Sequence, residues 1–348
     1  MSVLFSYLII PYILSMFLAM NMGGSGTAPA FSAAYGANLI RKDLIPGIFG
    51  VMVFIGAIIA GKGTATSIGQ GLLNPSIFNL VMVSITLFSV AVALLLANLL
   101  GVPQSTSQAT VLAVTAPAVY FSELNAEKLF YEIIPTWFIL PMISFIMCFC
   151  IGKYIYKPLR RRGFTLSNKV NNSPLVKCLV ILMSLYVAFS IGSNNVANAA
   201  GPIASMTINE LGLGYTDKNF VLIMILATLI VAPNFGIGSS ILGQKVLRNT
   251  GKEIVLFGKI EAMIISFVSA SLLLTASLTR GIPTSLVQLN VAAIIGIGVA
   301  KLGFKNIFRK TEVNRFFVVW IVAPVLAFGL SLLLTYCADC LGYLMPAH

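Results

Sequence analysis

A chain of 348 residues that is 58% hydrophobic and 9% charged lies outside the range of soluble domains, where charged residues approach about a quarter. Its formal net charge of +12 does not point to nucleic acid, because the basic residues fall between long apolar runs. The composition excludes a water-soluble enzyme or nucleic-acid-binding module and predicts an all-α polytopic membrane protein.

The first apolar run begins near Val3, and no Lys or Arg precedes Arg41. It therefore lacks the basic region of a cleavable signal peptide and reads as a retained first span. A break is expected in it at Asn21-Met22-Gly23-Gly24-Ser25-Gly26-Thr27-Ala28-Pro29. A second span covers 44–60, a polar glycine-rich stretch 62–75, and a third span 77–100. Gly101-Val102-Pro103-Gln104-Ser105-Thr106-Ser107-Gln108 is a hydroxyl-rich break that opens a helix to Tyr120, and 131–151 is the fifth span.

Residues 153–177 carry seven basic side chains and no acidic one. After them the pattern returns. A span from 176 reaches Ser190-Ile191-Gly192-Ser193-Asn194-Asn195-Val196-Ala197-Asn198-Ala199-Ala200-Gly201-Pro202, and 220–241 crosses next. Lys245, Arg248 and Lys252 mark a loop, 255–278 is a span, and Gly281-Ile282-Pro283-Thr284-Ser285-Leu286-Val287-Gln288 opens another. The last crossing is 316–337.

Laid on each other, the halves match at Gly23 and Gly192, Gly101-Val102-Pro103 and Gly281-Ile282-Pro283, Ser105 and Ser285, Gln108 and Gln288, Trp137 and Trp320, and Pro141 and Pro324. A nearly constant offset over a whole half indicates internal duplication. The expected organisation is an N-terminal repeat over 1–152, a basic cytoplasmic linker over 153–175 and a C-terminal repeat over 176–348. Most of the 22 basic residues fall on the linker's side, which places both termini outside a plasma membrane. About five crossings per half is an odd number, so the repeats are inverted in topology, with broken or re-entrant helices at the midplane.

Polar, irregular main chain at membrane depth survives only where it is buried in protein or lines a cavity. The four breaks are therefore the candidate site: Gly24, Ser25, Gly26 and Thr27 in the first, Ser105, Thr106 and Ser107 in the second, Ser193, Asn194, Asn195 and Asn198 in the third, Thr284 and Ser285 in the fourth. Glycine lets backbone N–H groups approach a ligand, and a restarting helix adds its positive dipole end. Hydroxyl and amide groups add donors, so the set suits a tetrahedral oxyanion. For any one Ser or Gly, close helix packing is an equally good account. Glu261 is the only carboxylate well inside an expected span, which makes it a coupling-ion candidate beside Asn21 and Asn194.

The run Gly192-Ser193-Asn194-Asn195-Val196-Ala197-Asn198-Ala199-Ala200-Gly201-Pro202 resembles the signature of the inorganic phosphate transporter family, G-A-N-D-V-A-N-A-x-G-P. The breaks at Gly101 and Gly281 resemble its G-x-P-V-S-T-T-H element, with Gln108 and Gln288 at the histidine positions. The resemblance spans the chain and implies two inverted halves, a substrate held between them, and drive by Na⁺ or H⁺. Asn195 stands where the family has aspartate, and the first break lacks the family's Asn-Asp. In these departures the chain looks like the family's sulfate-permease branch, which is associated with cysteine biosynthesis.

Phosphate near neutral pH can donate a proton to a buried carboxylate, whereas sulfate has none to give. A donor-only site fits a fully ionised dianion better. The expectation is ion-coupled sulfate import, with phosphate transport as the alternative and an anion channel as the remote one. Expected partners are sulfate or a related tetrahedral oxyanion and membrane lipid, with a homodimer compatible and no nucleic acid. No cofactor is expected. H⁺ is preferred over Na⁺ as coupling ion because Glu261 can be protonated. No G-x-x-x-x-G-K-[ST] loop occurs, which argues against a primary pump, and no nucleophile with a base lies at depth to suggest an enzyme.

Overall fold

The computed structural model describes residues 3–100, 104–158, 173–243 and 258–344. Gly101 to Pro103, most of the basic linker, the loop with Lys245, Arg248 and Lys252, and His348 lie outside the described residues. Among those described, regular structure is helical apart from one isolated bridge between Leu73 and Leu124. Eight helices are long and apolar enough to cross a membrane, as the need to satisfy every main-chain polar group in lipid demands. Outward faces carry Ile59, Phe138 and Ile321, while Ser, Thr and Asn side chains collect inside.

The first half comprises α1 (Val3–Gly36), α2 (Ile45–Ala60), α3 (Lys62–Thr66), α4 (Leu80–Leu99), α5 (Thr106–Tyr120) and α6 (Ile134–Cys150). The second comprises α7 (Pro174–Asn195), α8 (Ala197–Glu210), α9 (Asp217–Val231), α10 (Pro233–Gly238), α11 (Lys259–Thr279), α12 (Leu286–Leu302), α13 (Phe304–Phe308) and α14 (Thr311–Cys340). Starts follow side-chain caps: Asn79 accepts from Met82 N before α4, Ser173 precedes Pro174 of α7, and Thr216 accepts from Asn219 N before α9.

The five helical segments expected in each half are present, and the third and fourth of each form a hairpin. At the base of α4 and α5, Asn125 N donates to Leu72 O at 2.9 Å, and Phe121, Ile77 and Val81 all pack on the buried cluster of Met82, Ala338 and Leu344. At the base of α11 and α12, Lys301 and Glu261 pair at 2.6 Å. Both arms of each hairpin thus start and finish at the same end of the molecule. The halves interlock rather than stand apart. Ser144 of α6 donates to Leu289 O of α12, and Ser331 of α14 donates to Ala113 O of α5, both at 2.8 Å. Each hairpin is held by the last helix of the other half.

The expected break at Asn21 to Pro29 does not occur. Helix α1 runs through Gly23, Gly24 and Pro29 uninterrupted, and the matching stretch of the second half is interrupted only at Val196. The glycines bring neighbouring main chains together instead. A Cβ on Gly23 would stand 2.2 Å from Phe235 O, one on Gly192 2.0 Å from Val53 O, and one on Gly238 1.8 Å from Met20 O. Small residues at helix crossings permit such contact in membrane bundles. Gly192→Ala should therefore cost ~3 kcal/mol or more by forcing α2 and α7 apart. A thermal unfolding midpoint in detergent equal to the wild type would contradict it.

Candidate functional site

The two hairpin tips bring two helix N-termini to one place. Helix α5 starts after Ser105, an extended residue whose Oγ accepts from Gln108 N at 3.3 Å. Helix α12 starts after Ser285 in the same way, its Oγ accepting from Gln288 N at 3.3 Å. The second tip turns at Gly281, where φ is +60° and a Cβ would meet Gly63 O at 2.4 Å. Only glycine fits both conditions. The first turns of α5 and α12 hold N–H groups without helical partners and the positive ends of two dipoles.

The tips touch directly. Gln108 Nε2 donates to Gln288 Oε1 at 3.1 Å and Gln288 Nε2 donates to Gln108 Oε1 at 2.8 Å. Ser107 Oγ lies 3.1 Å from Thr284 O and 3.2 Å from Asn194 Oδ1, with one proton to offer either. Trp137 Nε1 of α6 donates to Pro283 O at 2.9 Å and steadies the second tip from the other half.

Asn194, in the last turn of α7, joins both tips. Its Nδ2 donates to Ser277 Oγ at 2.8 Å and Ile282 O at 3.0 Å, and its Oδ1 accepts from Thr284 N at 3.0 Å as well as facing Ser107. Asn198, in the first turn of α8, donates to Ser107 Oγ at 3.3 Å and faces Met22 Sδ of α1 at 3.8 Å. Ser193 Oγ donates to Ser190 O at 2.8 Å and lies 3.4 Å from Ser277 Oγ. Helices α1, α5, α7, α8, α11 and α12 thus meet at a junction whose Ser105, Ser107, Ser193, Asn194, Asn198, Thr284 and Ser285 side chains are all buried.

Thr106 lies in the first turn of α5, where its carbonyl accepts from Thr110 Oγ1. The first-break residues stand beside this junction. Ser25 and Thr27 donate to Met22 O and Gly23 O of their own helix, at 3.1 and 2.7 Å. Gly24 packs on Leu242 and Asn98, and Gly26 on Phe49 and Ile191. Asn21 donates to Phe17 O, while its own carbonyl oxygens accept from Asn98 Nδ2. Glu261 sits in the first turn of α11, sixteen residues before Ser277, roughly 24 Å along the helix. It accepts from Gly258 N at 2.8 Å and Lys301 Nζ at 2.6 Å, so it fastens the hairpin's feet.

Glu261 is the one charged residue among the described buried ones. The junction itself is electrically neutral. Four buried amide oxygens have no hydrogen-bond partner: Asn98 Oδ1, Gln104 Oε1, Asn195 Oδ1 and Asn198 Oδ1. Pro29 inside α1 and Pro202 inside α8 also deprive the Ser25 and Asn198 carbonyls of their helical donors. Neutral donors stand at the tips, while the unmatched amide oxygens are distributed over α4, α7, α8 and Gln104, just before α5. Sequence reasoning left Ser277, Gln108 and Gln288 out of the site. The glutamines carried a usable signal, since each stands at the same place in its half, whereas Ser277 carried none.

The phosphate transporter family matches residues 22–331. The sulfate permease CysP of Bacillus subtilis is 34% identical over 322 residues, covering 92% of this chain and 85% of its own. A solved structure titled the sodium-dependent phosphate transporter superposes with a TM-score of 0.79 over 96% of this chain and 99% of its own, at 23% identity. That likeness supports the fold.

Proposed function

The chain belongs to the phosphate transporter family, and from that premise we propose that it is a secondary active transporter that imports sulfate by alternating access. The observation that carries this reading is the neutral junction of two helix N-termini. Main-chain N–H groups, hydroxyls and amides can replace the water around a dianion without any carboxylate to repel it. Asn195, buried and next to Asn194, keeps the neighbourhood neutral where an aspartate would make it fit a protonated anion instead. The similarity to a sulfate permease points the same way.

In this reading residues 1–152 and 176–348 are inverted repeats joined by the cytoplasmic linker 153–175, with both termini outside the plasma membrane. The repeated element order, the reciprocal Ser144 and Ser331 contacts and the parallel pairs Asn98–Asn21 and Asn194–Ser277 support it. The touching tips are the barrier between the two sides, and alternating access requires that they part. The Ser25–Thr27 region then lies at the edge of the path.

For coupling, the geometry favours Na⁺ over the H⁺ expected from Glu261. Unmatched amide oxygens suit a hard cation and do not bind a proton near neutral pH, whereas Glu261 is remote from the junction and paired with Lys301. Glu261→Gln should accordingly leave the pH response of sulfate uptake unchanged while lowering the thermal unfolding midpoint. Loss of the pH response would restore the H⁺ reading.

Uptake into proteoliposomes tests the function itself, with sulfate, thiosulfate, molybdate and phosphate offered under separate Na⁺ and H⁺ gradients. Labelled sulfate should accumulate against its gradient, saturate, and be displaced by thiosulfate or molybdate more readily than by phosphate. Preferential phosphate accumulation would make the chain a phosphate transporter, and unsaturable downhill flux would make it a channel.

A further inference from the structure

Gln108 and Gln288 are the only direct side-chain to side-chain link between the two hairpin tips among the described hydrogen bonds other than those through Asn194 and Ser107. They come one from each half, lie three residues inside their helices after Ser105 and Ser285, and are 8% and 5% exposed. Each amide gives one N–H to the other and takes one in return, so their facing edges are matched without water or charge, with the second N–H of each left outside the pair. Breaking it in a buried setting strands four polar groups at once, which makes the pair an on-or-off contact.

We propose that this pair is a positioning latch: it fixes the separation of the α5 and α12 N-termini so that both act on one anion, and it opens when the tips part. This inference rests on the transport reading above. Among the described residues, no hydrogen bond or ion pair joins a titratable side chain to the pair. The facing elements carry theirs elsewhere: Cys148 of α6 beside Gly296, the Glu261–Lys301 pair at the foot of α12, and the Tyr120–Asp339 contact at the far end of α5. The native latch is thus insensitive to pH. A glutamic acid in place of Gln108 would reproduce the paired edge only when protonated, since the ionised form has no donor for Gln288 Oε1.

The test uses Gln108→Leu and Gln108→Glu in full-length transporter, each also prepared with Trp320→Phe so that Trp137, bonded to Pro283 O of the second tip, is the sole tryptophan and is excited selectively over the tyrosines. In proteoliposomes, Gln108→Leu should raise the KM for sulfate about tenfold, as loss of a buried hydrogen-bonded pair does, with Vmax per folded transporter not reduced. Gln108→Glu should show a near-native KM at pH 5.5 and the raised KM at pH 8, while the wild type changes little. Trp137 emission, read without any substrate, should shift in Gln108→Leu and between the two pH values in Gln108→Glu. A shift of emission without sulfate flux in any variant or in the wild type would sink the sulfate reading and leave the latch standing. Sulfate flux with native KM and native emission in Gln108→Glu at both pH values would overturn the latch, as would a lowered Vmax at unchanged KM, which is the mark of a merely structural role.

Discussion

Asn194→Leu should lower sulfate uptake per folded transporter by about a hundredfold or more, equivalent to ~2.7 kcal/mol. Leucine keeps the same branching and number of heavy atoms, so the last turn of α7 can still pack. What it removes is the amide that holds Thr284 N, Ile282 O, Ser277 Oγ and Ser107 Oγ at one point. Each of those buried groups left unmatched costs about 1–3 kcal/mol, and the cheapest response is for the tips to separate. The α5 and α12 N-termini then no longer face a common ligand. Normalising uptake to the monodisperse, thermally characterised fraction separates this from loss of fold. Uptake within twofold of the wild type would show that Asn194 is a packing residue only.

Asn195→Asp should reduce sulfate uptake about tenfold or more at pH 8, since an ionised carboxylate facing a dianion in a low-dielectric site is repelled by several kcal/mol. Folding should suffer less than transport, because Asn195 Oδ1 has no hydrogen-bond partner to lose. Phosphate, which can donate to the ionised carboxylate, should compete better in the variant than in the wild type at pH 8, and lowering the pH restores a neutral side chain, so sulfate uptake by the variant should recover toward acid pH. Uptake that is unchanged at pH 8 would remove electrostatics as the basis of anion choice.

The membrane class, the helical segments and the two polar breaks ahead of α5 and α12 were legible in the sequence, because each depends on local pattern. Apolar runs of span length report burial in lipid, and Gly-x-Pro followed by Ser and Gln, present in both halves, precedes a helix capped by that Ser. The unbroken α1 was not legible. A glycine that bends its own chain and a glycine that admits a neighbour's main chain look alike, and at Gly23 and Gly192 the neighbours are Phe235 and Val53, far away in sequence. The return of α5 and α12 to their own hairpin feet was hidden for the same reason, since a short apolar arm resembles a crossing until its far contacts are known.

Glu261 was misplaced in depth by its surroundings. Hydropathy set it inside a span because Ile260, Ala262 and Met263 are apolar, yet the helix starts only at Lys259 and the carboxylate closes its first turn with Gly258. Its partner Lys301 lies forty residues on, at the end of the hairpin's other arm. Likewise the equivalence of Gln108 and Gln288 could be read from spacing, but their mutual hydrogen bonds needed the folded tips.

Crystals of the transporter soaked in selenate, a heavier analogue of sulfate with the same charge and shape, test the central claim most directly. The account predicts an anomalous peak bounded by Ser107, Asn194 and the Thr284 N–H, in line with the first turns of α5 and α12. A peak held elsewhere by Lys or Arg side chains, or no peak at selenate concentrations that block sulfate uptake, would contradict it.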